Sequence, residues 1–240
     1  MKKTAIIIGA NSDIAFELSK LLISHHYKLV LLSRNLEELK KKKIILNEKP
    51  NSEIVIEEFD ICNYRLNKDK LVKYSDAELL IIASGYLNID NRKDEKMMQI
   101  NYVAPREIIT TLINSDQHNI KEILCFTSVS GDRIDAYNNQ YSKSKKILSD
   151  FIYQKKESLL KKNIYLKDLK LGYVNTKMTK HIFLQNFFCK PVKKVAINIF
   201  NNIGLKNNNV IYYPKIWILI LMIYNFFKKI NPFSKKYDYK

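Results

Sequence analysis

"TAIIIGANSDIAFELSKLLIS", residues 4–24, decides how the rest of the chain is read. Its first part is a short apolar run ending in Gly9, the pattern of a strand buried on both faces. Its last part, 13–24, spaces apolar residues along one helical face, with Asn11 and Ser12 placed to cap it. A strand that turns through glycine into a helix opens a βαβ unit. The unbonded N–H groups at such a helix N-terminus can receive a pyrophosphate. A dinucleotide would meet Gly9, Asn11, Ser12, Asp13 and Ile14 here. With a single glycine, the same turn also fits an ordinary strand-to-helix connection.

The alternation continues along the chain. Strands are expected at 4–9, 28–33, 53–61, 77–85, 121–128, 164–172 and 209–214. Helices are expected at 13–24, 35–48, 67–74, 94–115, 138–160 and 191–203, the last opened by Pro191, a favoured first helical residue. Apolar strands alternating with helices predict a parallel sheet covered on both faces. No repeat or linker divides the pattern. The expectation is one doubly wound α/β domain of Rossmann type over 1–213, followed by an apolar and basic tail over 214–240. In such folds ligands bind beyond the carboxyl ends of the strands. A chain of 240 residues with 46% hydrophobic content can build a core of that size.

The net charge is +17. The excess is mostly Lys, beside much Asn and Ile, and is spread over the whole length, so no nucleic-acid partner is expected. An anionic membrane surface suits the charge better. Cys62, Cys125 and Cys189 have neither metal-ligand spacing nor an even count, which points to a reducing compartment. His25, His26, His118 and His181 form no ligand cluster, so no metal is expected. The apolar run Ala5–Ile8 is too short for a signal-peptide core, and a cytoplasmic protein is expected.

The end of the second strand, "LLSRN", carries Ser33 and Arg34 and no carboxylate. Nicotinamide dinucleotide sites choose their cofactor at this place: an acidic residue takes the ribose hydroxyl, whereas Arg accommodates a 2′-phosphate. NADPH is therefore expected, with NADH as the alternative. "YSKSK", 141–145, stacks Tyr141 and Lys145 on one helical face. A phenol titrates near pH 10 and is a poor acid at neutrality, but an adjacent ammonium favours the phenolate. The pair can then serve as proton donor to a carbonyl oxygen. Ser128, ending the fifth strand, can hydrogen-bond the same carbonyl. Asn101, inside a long helix, can hold a water and the Lys in a proton relay.

Taken together, these residues resemble the short-chain dehydrogenase/reductase family over residues 4 to about 213. The resemblance implies a catalytic tetrad of Asn101, Ser128, Tyr141 and Lys145, with Tyr141 and Lys145 also touching the cofactor. It further implies an adenine contact at Asp60 in "FDI", a cofactor wall at Ala83, Ser84 and Gly85, and nicotinamide contacts at Gly172, Val174 and Thr176 in "LGYVNT". Four positions depart from the family pattern. Asp13 and Ala15 stand in place of glycines, Leu171 in place of a proline, and Ser84 in place of an alanine. A carboxylate at Asp13 is unfavourable near a pyrophosphate unless it faces away.

"GANSDIA" is also similar to the turn of reductases acting on polyprenyl-phosphate-linked keto-pentoses, the decaprenylphospho-β-D-erythro-pentofuranosid-2-ulose 2-reductase-like group. That resemblance implies a lipid-linked or nucleotide-linked keto-sugar in surface-polysaccharide assembly, a flavin-dependent oxidase as partner, and a homo-oligomer. Two other readings stay open: a reductase of small or fatty-acyl ketones, and a non-catalytic dinucleotide-binding partner of a membrane complex. The tail supports a surface location. Ile216–Tyr224 is wholly apolar or aromatic, and Phe226 and Phe227 extend it. Twelve helical residues span about 18 Å, against a hydrocarbon core of about 30 Å. Tyr212, Tyr213, Trp217 and Tyr224 suit an interface, and Lys228, Lys229, Lys235 and Lys236 suit anionic headgroups. A monotopic anchor on the inner face of the cell membrane is expected, with packing on the domain or on a dimer partner as the alternative.

Overall fold

The computed structural model describes residues 2–50, 52–88, 94–114, 118–133, 135–136, 139–180, 189–207 and 210–230. His181, Lys235 and Lys236 lie outside the described residues. The strands are β1 (Thr4–Ile8), β2 (Lys28–Ser33), β3 (Ile54–Glu58), β4 (Leu79–Ile82), β5 (Glu122–Ser128), β6 (Tyr165–Leu171) and β7 (Val210–Tyr213). They form one sheet in the order β3-β2-β1-β4-β5-β6-β7, and every pairing is parallel. The strand order reverses at β1, between β2 and β4, so a crevice opens where a doubly wound sheet places its ligand.

The period of two along β1 explains the two cores. Ala5 and Ile7 face one side, with Leu18 and Leu22 of α1 (Asp13–Ser24) and Val195 and Ile199 of α7 (Val192–Phe200). Ile6 and Ile8 face the other, with Ile108 and Ile109 of α5 (Ala104–Ile113) and Leu148 and Ile152 of α6 (Gln140–Leu160). The remaining helices are α2 (Leu36–Asn47), α3 (Lys68–Val72), α4 (Glu95–Met98) and α8 (Ile216–Ile230).

Several elements differ from the sequence pattern in ways that shape the site. The helix expected at 94–115 is interrupted by a π turn at Gln99–Val103, a wide turn of the kind found at functional positions. It carries Asn101. The strands expected at 53–61 and 77–85 stop at Glu58 and Ile82, which leaves Asp60 and Ala83–Gly85 outside the sheet to line the crevice. A 3₁₀ segment, Ile61–Asn67, precedes the short helix α3. β6 has the span of a buried strand, yet Lys167, Asp168 and Lys170 are 0%, 3% and 7% exposed. Lys167 pairs with Glu122 and donates to the Asn202 carbonyl at 2.5 Å. The second Glu122 oxygen accepts from the Gly204 amide at 2.8 Å, so each ion of this buried pair has a further hydrogen bond, which offsets the cost of its burial.

Candidate active site

A cavity of about 850 Å³ opens at the carboxyl ends of the strands. It is lined by every site residue expected from the sequence except Asn101. Gly9 begins it. Its φ is +81°, and a Cβ there would lie 2.7 Å from the Ser84 backbone nitrogen. The Gly9 amide donates to the Leu32 carbonyl at 2.9 Å, so the turn presses against both neighbouring strand ends. Gly9→Ala is expected to cost about 2 kcal/mol or more through left-handed backbone strain and this contact. The urea midpoint reads it, and an unchanged midpoint would show that the turn is not constrained.

The polar groups around Gly9 suit a polar ligand. Asn11 donates from Nδ2 to the Asn35 carbonyl at 2.8 Å, but its Oδ1 is buried with no hydrogen-bond partner among the described residues, as is the Ser84 hydroxyl. Buried polar atoms are normally satisfied, and both of these residues line the cavity. Ser12 is the N-cap of α1, yet its side chain makes no capping bond, and it lines the cavity. Asp13 is engaged elsewhere: its Oδ2 accepts from the Lys177 amide at 2.9 Å. Lys177 in turn pairs with Glu38 at 2.8 Å. The carboxylate thus fastens the connection after β6 onto the start of α1. Ala15 is fully buried in the core. At the outer rim Ser33 is buried and Arg34 exposed, and Arg34 has no ion pair among the described residues. Asp60 accepts from the Cys62 amide at 3.0 Å and from Asn63 Nδ2 at 2.8 Å. The residues present therefore fit a dinucleotide with a phosphate near Arg34.

Tyr141 and Lys145 lie in the first turns of α6, whose N-cap Asn139 accepts from the Ser142 amide at 3.1 Å. Lys145 is 3% exposed and donates to the Phe126 carbonyl at 3.0 Å. Burial brings its ammonium down to about 8. Burial also pushes the Tyr141 phenol above its ordinary value, opposed by the hydrogen bond with the Ser128 hydroxyl. The stacking of Tyr141 over Lys145 thus does not by itself depress the phenol in the ligand-free protein, because the ammonium points to Phe126. Ser128 accepts from the Ser130 amide at 3.2 Å and from its hydroxyl at 2.9 Å.

Asn101 joins both sides of the cavity. It is fully buried, and its side chain grips the Tyr86 backbone, accepting from the amide and donating to the carbonyl, both at 2.8 Å. It also donates to Ser144 Oγ at 3.1 Å, and Ser144 donates to the Tyr141 carbonyl at 2.7 Å. The Asn101 side chain fixes the backbone on both sides of the cavity.

The tail helix walls the cavity, the packing on the domain that stands as the alternative to an anchor in the sequence reading. α8 turns Trp217, Ile220, Leu221 and Tyr224 into the cavity. A Cβ on Gly172 would lie 1.9 Å from Trp217 Nε1, so only glycine admits this ring. Trp217 also meets Tyr173 edge-on at 5.5 Å. Tyr224 donates to Asp135 at 2.6 Å and accepts from Arg133 at 2.6 Å, and Asn225 donates to the Asp132 carbonyl at 2.9 Å. The opposite face leaves Leu219, Met222 and Phe226 52%, 65% and 59% exposed. No helix among the described residues is long and apolar enough to cross a membrane.

The sequence profile of the short chain dehydrogenase family matches residues 3–186. Nothing among curated protein sequences matches the chain. Solved structures do. A short chain dehydrogenase from Burkholderia cenocepacia in complex with NADP is 16% identical, with a TM-score of 0.76 and 92% of each chain covered. An actinorhodin polyketide ketoreductase variant with NADPH is 15% identical, with a TM-score of 0.74, covering 88% of this chain and 95% of its own. A 3-oxoacyl-[acyl-carrier protein] reductase from Brucella melitensis in complex with NAD is 13% identical, with a TM-score of 0.73, covering 91% and 98%. At these identities the likeness is one of fold.

Proposed function

Because this chain belongs to the short-chain dehydrogenase family, a family of NAD(P)-dependent oxidoreductases, we propose that it reduces a ketone to an alcohol with NADPH. The observation that carries this reading is the meeting of Ser128, Tyr141 and Lys145 in one cavity with Arg34 at its rim. A nicotinamide cofactor, when bound, supplies the hydride for the carbonyl carbon. Tyr141 gives its phenolic proton to the carbonyl oxygen, which becomes the alcohol. Ser128 holds that oxygen through its hydroxyl. Lys145, charged at neutral pH, favours the phenolate left behind and helps hold the cofactor's ribose. Asn101 is a positioning residue, acting through the Tyr86 backbone and Ser144. Asp60, Ala83–Gly85, Gly172, Val174 and Thr176 complete the cofactor's bed.

Arg34 sets the cofactor choice in this reading. Arg34→Glu is expected to move the NADPH-to-NADH ratio of kcat/KM toward NADH by at least about 10-fold, because a phosphate partner is replaced by a repelling charge that can accept from ribose hydroxyls. A ratio equal to that of the unaltered protein would remove Arg34 from this role.

The substrate proposed is a lipid-linked or nucleotide-linked keto-sugar of surface-polysaccharide assembly, of the polyprenyl-phosphate keto-pentose type, made by a flavin-dependent oxidase. The enzyme would work as a homo-oligomer, cytoplasmic and peripheral on the inner face of the cell membrane. The two-faced helix α8 supports this: its inner face walls the cavity and its outer face is apolar. A second reading, reduction of fatty-acyl or other small ketones, is favoured by the apolar side chains of Ile220 and Leu221 in the same wall. NADPH consumption with a polyprenyl-phosphate keto-pentose and with a 3-oxoacyl thioester separates the two. Turnover of the thioester alone would sink the sugar assignment, and cofactor binding without turnover of any ketone would sink both.

A further inference from the structure

Behind the catalytic helix lies a group of buried charges that the reaction as described does not use. Asp168 points from β6 toward α6 and is 3% exposed. It accepts from Thr127 Oγ1 of β5 and lies 3.7 Å from Lys170 Nζ, itself 7% exposed. Ser149 of α6 also faces it. Ser149 is one helical turn beyond Lys145 on the same face. Lys170 pairs with Asp132, in the turn after Ser128. Asp132 also accepts from the Tyr212 hydroxyl of β7 at 2.6 Å. Lys145 itself reaches back to the carbonyl of Phe126, next to Thr127. The titratable groups gathered from β5, β6, β7, α6 and the turn are therefore Cys125, Asp168, Lys170, Tyr212, Lys145 and Asp132. Burial pushes the Cys125 thiol and the Tyr212 phenol far up, so both stay neutral. What is left is Lys145 and Lys170 beside Asp168 and Asp132, with burial pushing the Asp168 carboxyl up and the Lys170 ammonium and the Thr127 hydroxyl holding it down.

A central parallel strand is normally apolar, and burying ions is costly unless they are paired. Packing alone would be served by Val or Leu at these positions. We propose that Asp168, Lys170 and Asp132 are positioning residues for the reduction: they form a charge-balanced support behind Lys145 that sets the charge state of the catalytic ammonium. This rests on the reductase reading for its purpose, but not for its test. Removing the carboxylate of Asp168 leaves Lys145 and Lys170 facing Asp132 alone. The excess positive charge then expels the Lys145 proton more readily. Removing the ammonium of Lys170 cannot have that effect.

The test is an NMR titration of the Lys145 side chain in the ligand-free protein, with the resonance assigned by its loss in Lys145→Met. Asp168→Asn is expected to move the Lys145 midpoint downward by about one pH unit, whereas Lys170→Met leaves it in place or raises it. In turnover, the high-pH limb of kcat/KM is expected to move down with the midpoint in Asp168→Asn. If Asp168→Asn does not fold, Thr127→Val, which removes the hydroxyl donor holding the carboxylate, is expected to give a smaller downward shift. An unchanged midpoint in Asp168→Asn, or in Thr127→Val where that replaces it, overturns the proposal, as does a downward shift in Lys170→Met. Because the titration needs no turnover, a protein that reduces no ketone but shows these shifts would sink the reductase reading and leave the electrostatic support standing.

Discussion

Tyr141→Phe is expected to lower kcat for ketone reduction by about 10³-fold, the scale of a lost general acid, while NADPH binds nearly as before. The substitution removes one hydroxyl. The ring stays in the first turn of α6, and the bonds that place that turn do not involve the phenol: Asn139 caps the Ser142 amide, and Ser144 holds the Tyr141 carbonyl. What is lost is the proton for the developing alkoxide and the hydrogen bond with Ser128. Nicotinamide fluorescence reads binding, and absorbance at the reduced-cofactor band reads turnover. A variant that keeps near-normal kcat would mean that another group protonates the product. A variant that loses cofactor binding as well would place the phenol in the binding site and not in the chemistry. Because burial raises the phenol in the ligand-free protein, titration of Tyr141 is expected to move down only when cofactor binds and the Lys145 ammonium is drawn from Phe126 toward the site.

The parts of this molecule that could be read from sequence are those governed by local pattern. Runs such as 4–8, 28–33 and 121–128 are apolar because both faces of a parallel strand are covered, and they lie in the sheet as expected. Gly9, Ser33, Arg34 and Ser128 lie at strand ends, and Tyr141 and Lys145 in the first two turns of α6, so the strand and helix pattern already directs them to the cavity that they line. Partners distant in sequence were not legible. Asp13 read as a liability beside a phosphate, yet it accepts a bond from Lys177 in a connection that no spacing predicts. The spacing marks Asn101 as a polar residue inside a helix, but not the π turn that brings its side chain against the Tyr86 backbone. β6 reads as one more strand of the alternating pattern, and nothing in its own sequence says that its charges are buried. The burial of Lys167, Asp168 and Lys170 depends on Glu122, Asp132 and Thr127, which come from elsewhere in the chain. The tail packs on the domain, the alternative to an anchor, through partners distant in sequence.

Replacing Leu219, Met222 and Phe226 together by Glu is expected to weaken binding to anionic vesicles by about 100-fold or more, while leaving turnover of a water-soluble ketone unchanged. The estimate follows from area: each of these side chains is worth roughly 1.5–3 kcal/mol if fully buried, and partial burial at an interface gives about 3 kcal/mol for the three, or about 100-fold. None of them lines the cavity, which takes Trp217, Ile220, Leu221 and Tyr224 from the other side of α8. Deleting 215–240 is a poorer test, because it removes that wall and the Tyr224 and Asn225 bonds to the turn after Ser128. Helix α8 spans about 22 Å, too short for a hydrocarbon core of about 30 Å, so the contact would lie in the interfacial plane. Lys229 is exposed for headgroups, whereas Lys228 is shared with Asp135 at 3.5 Å. Charge therefore adds to the apolar contact without replacing it. Raising the salt is expected to weaken binding of the unaltered protein only partly. Flotation with anionic and neutral vesicles reads the result. A protein that stays in the aqueous fraction with both lipids, and whose triple variant changes oligomeric state, would show that a second copy covers this face. A triple variant that floats like the parent would show that α8 is not the contact.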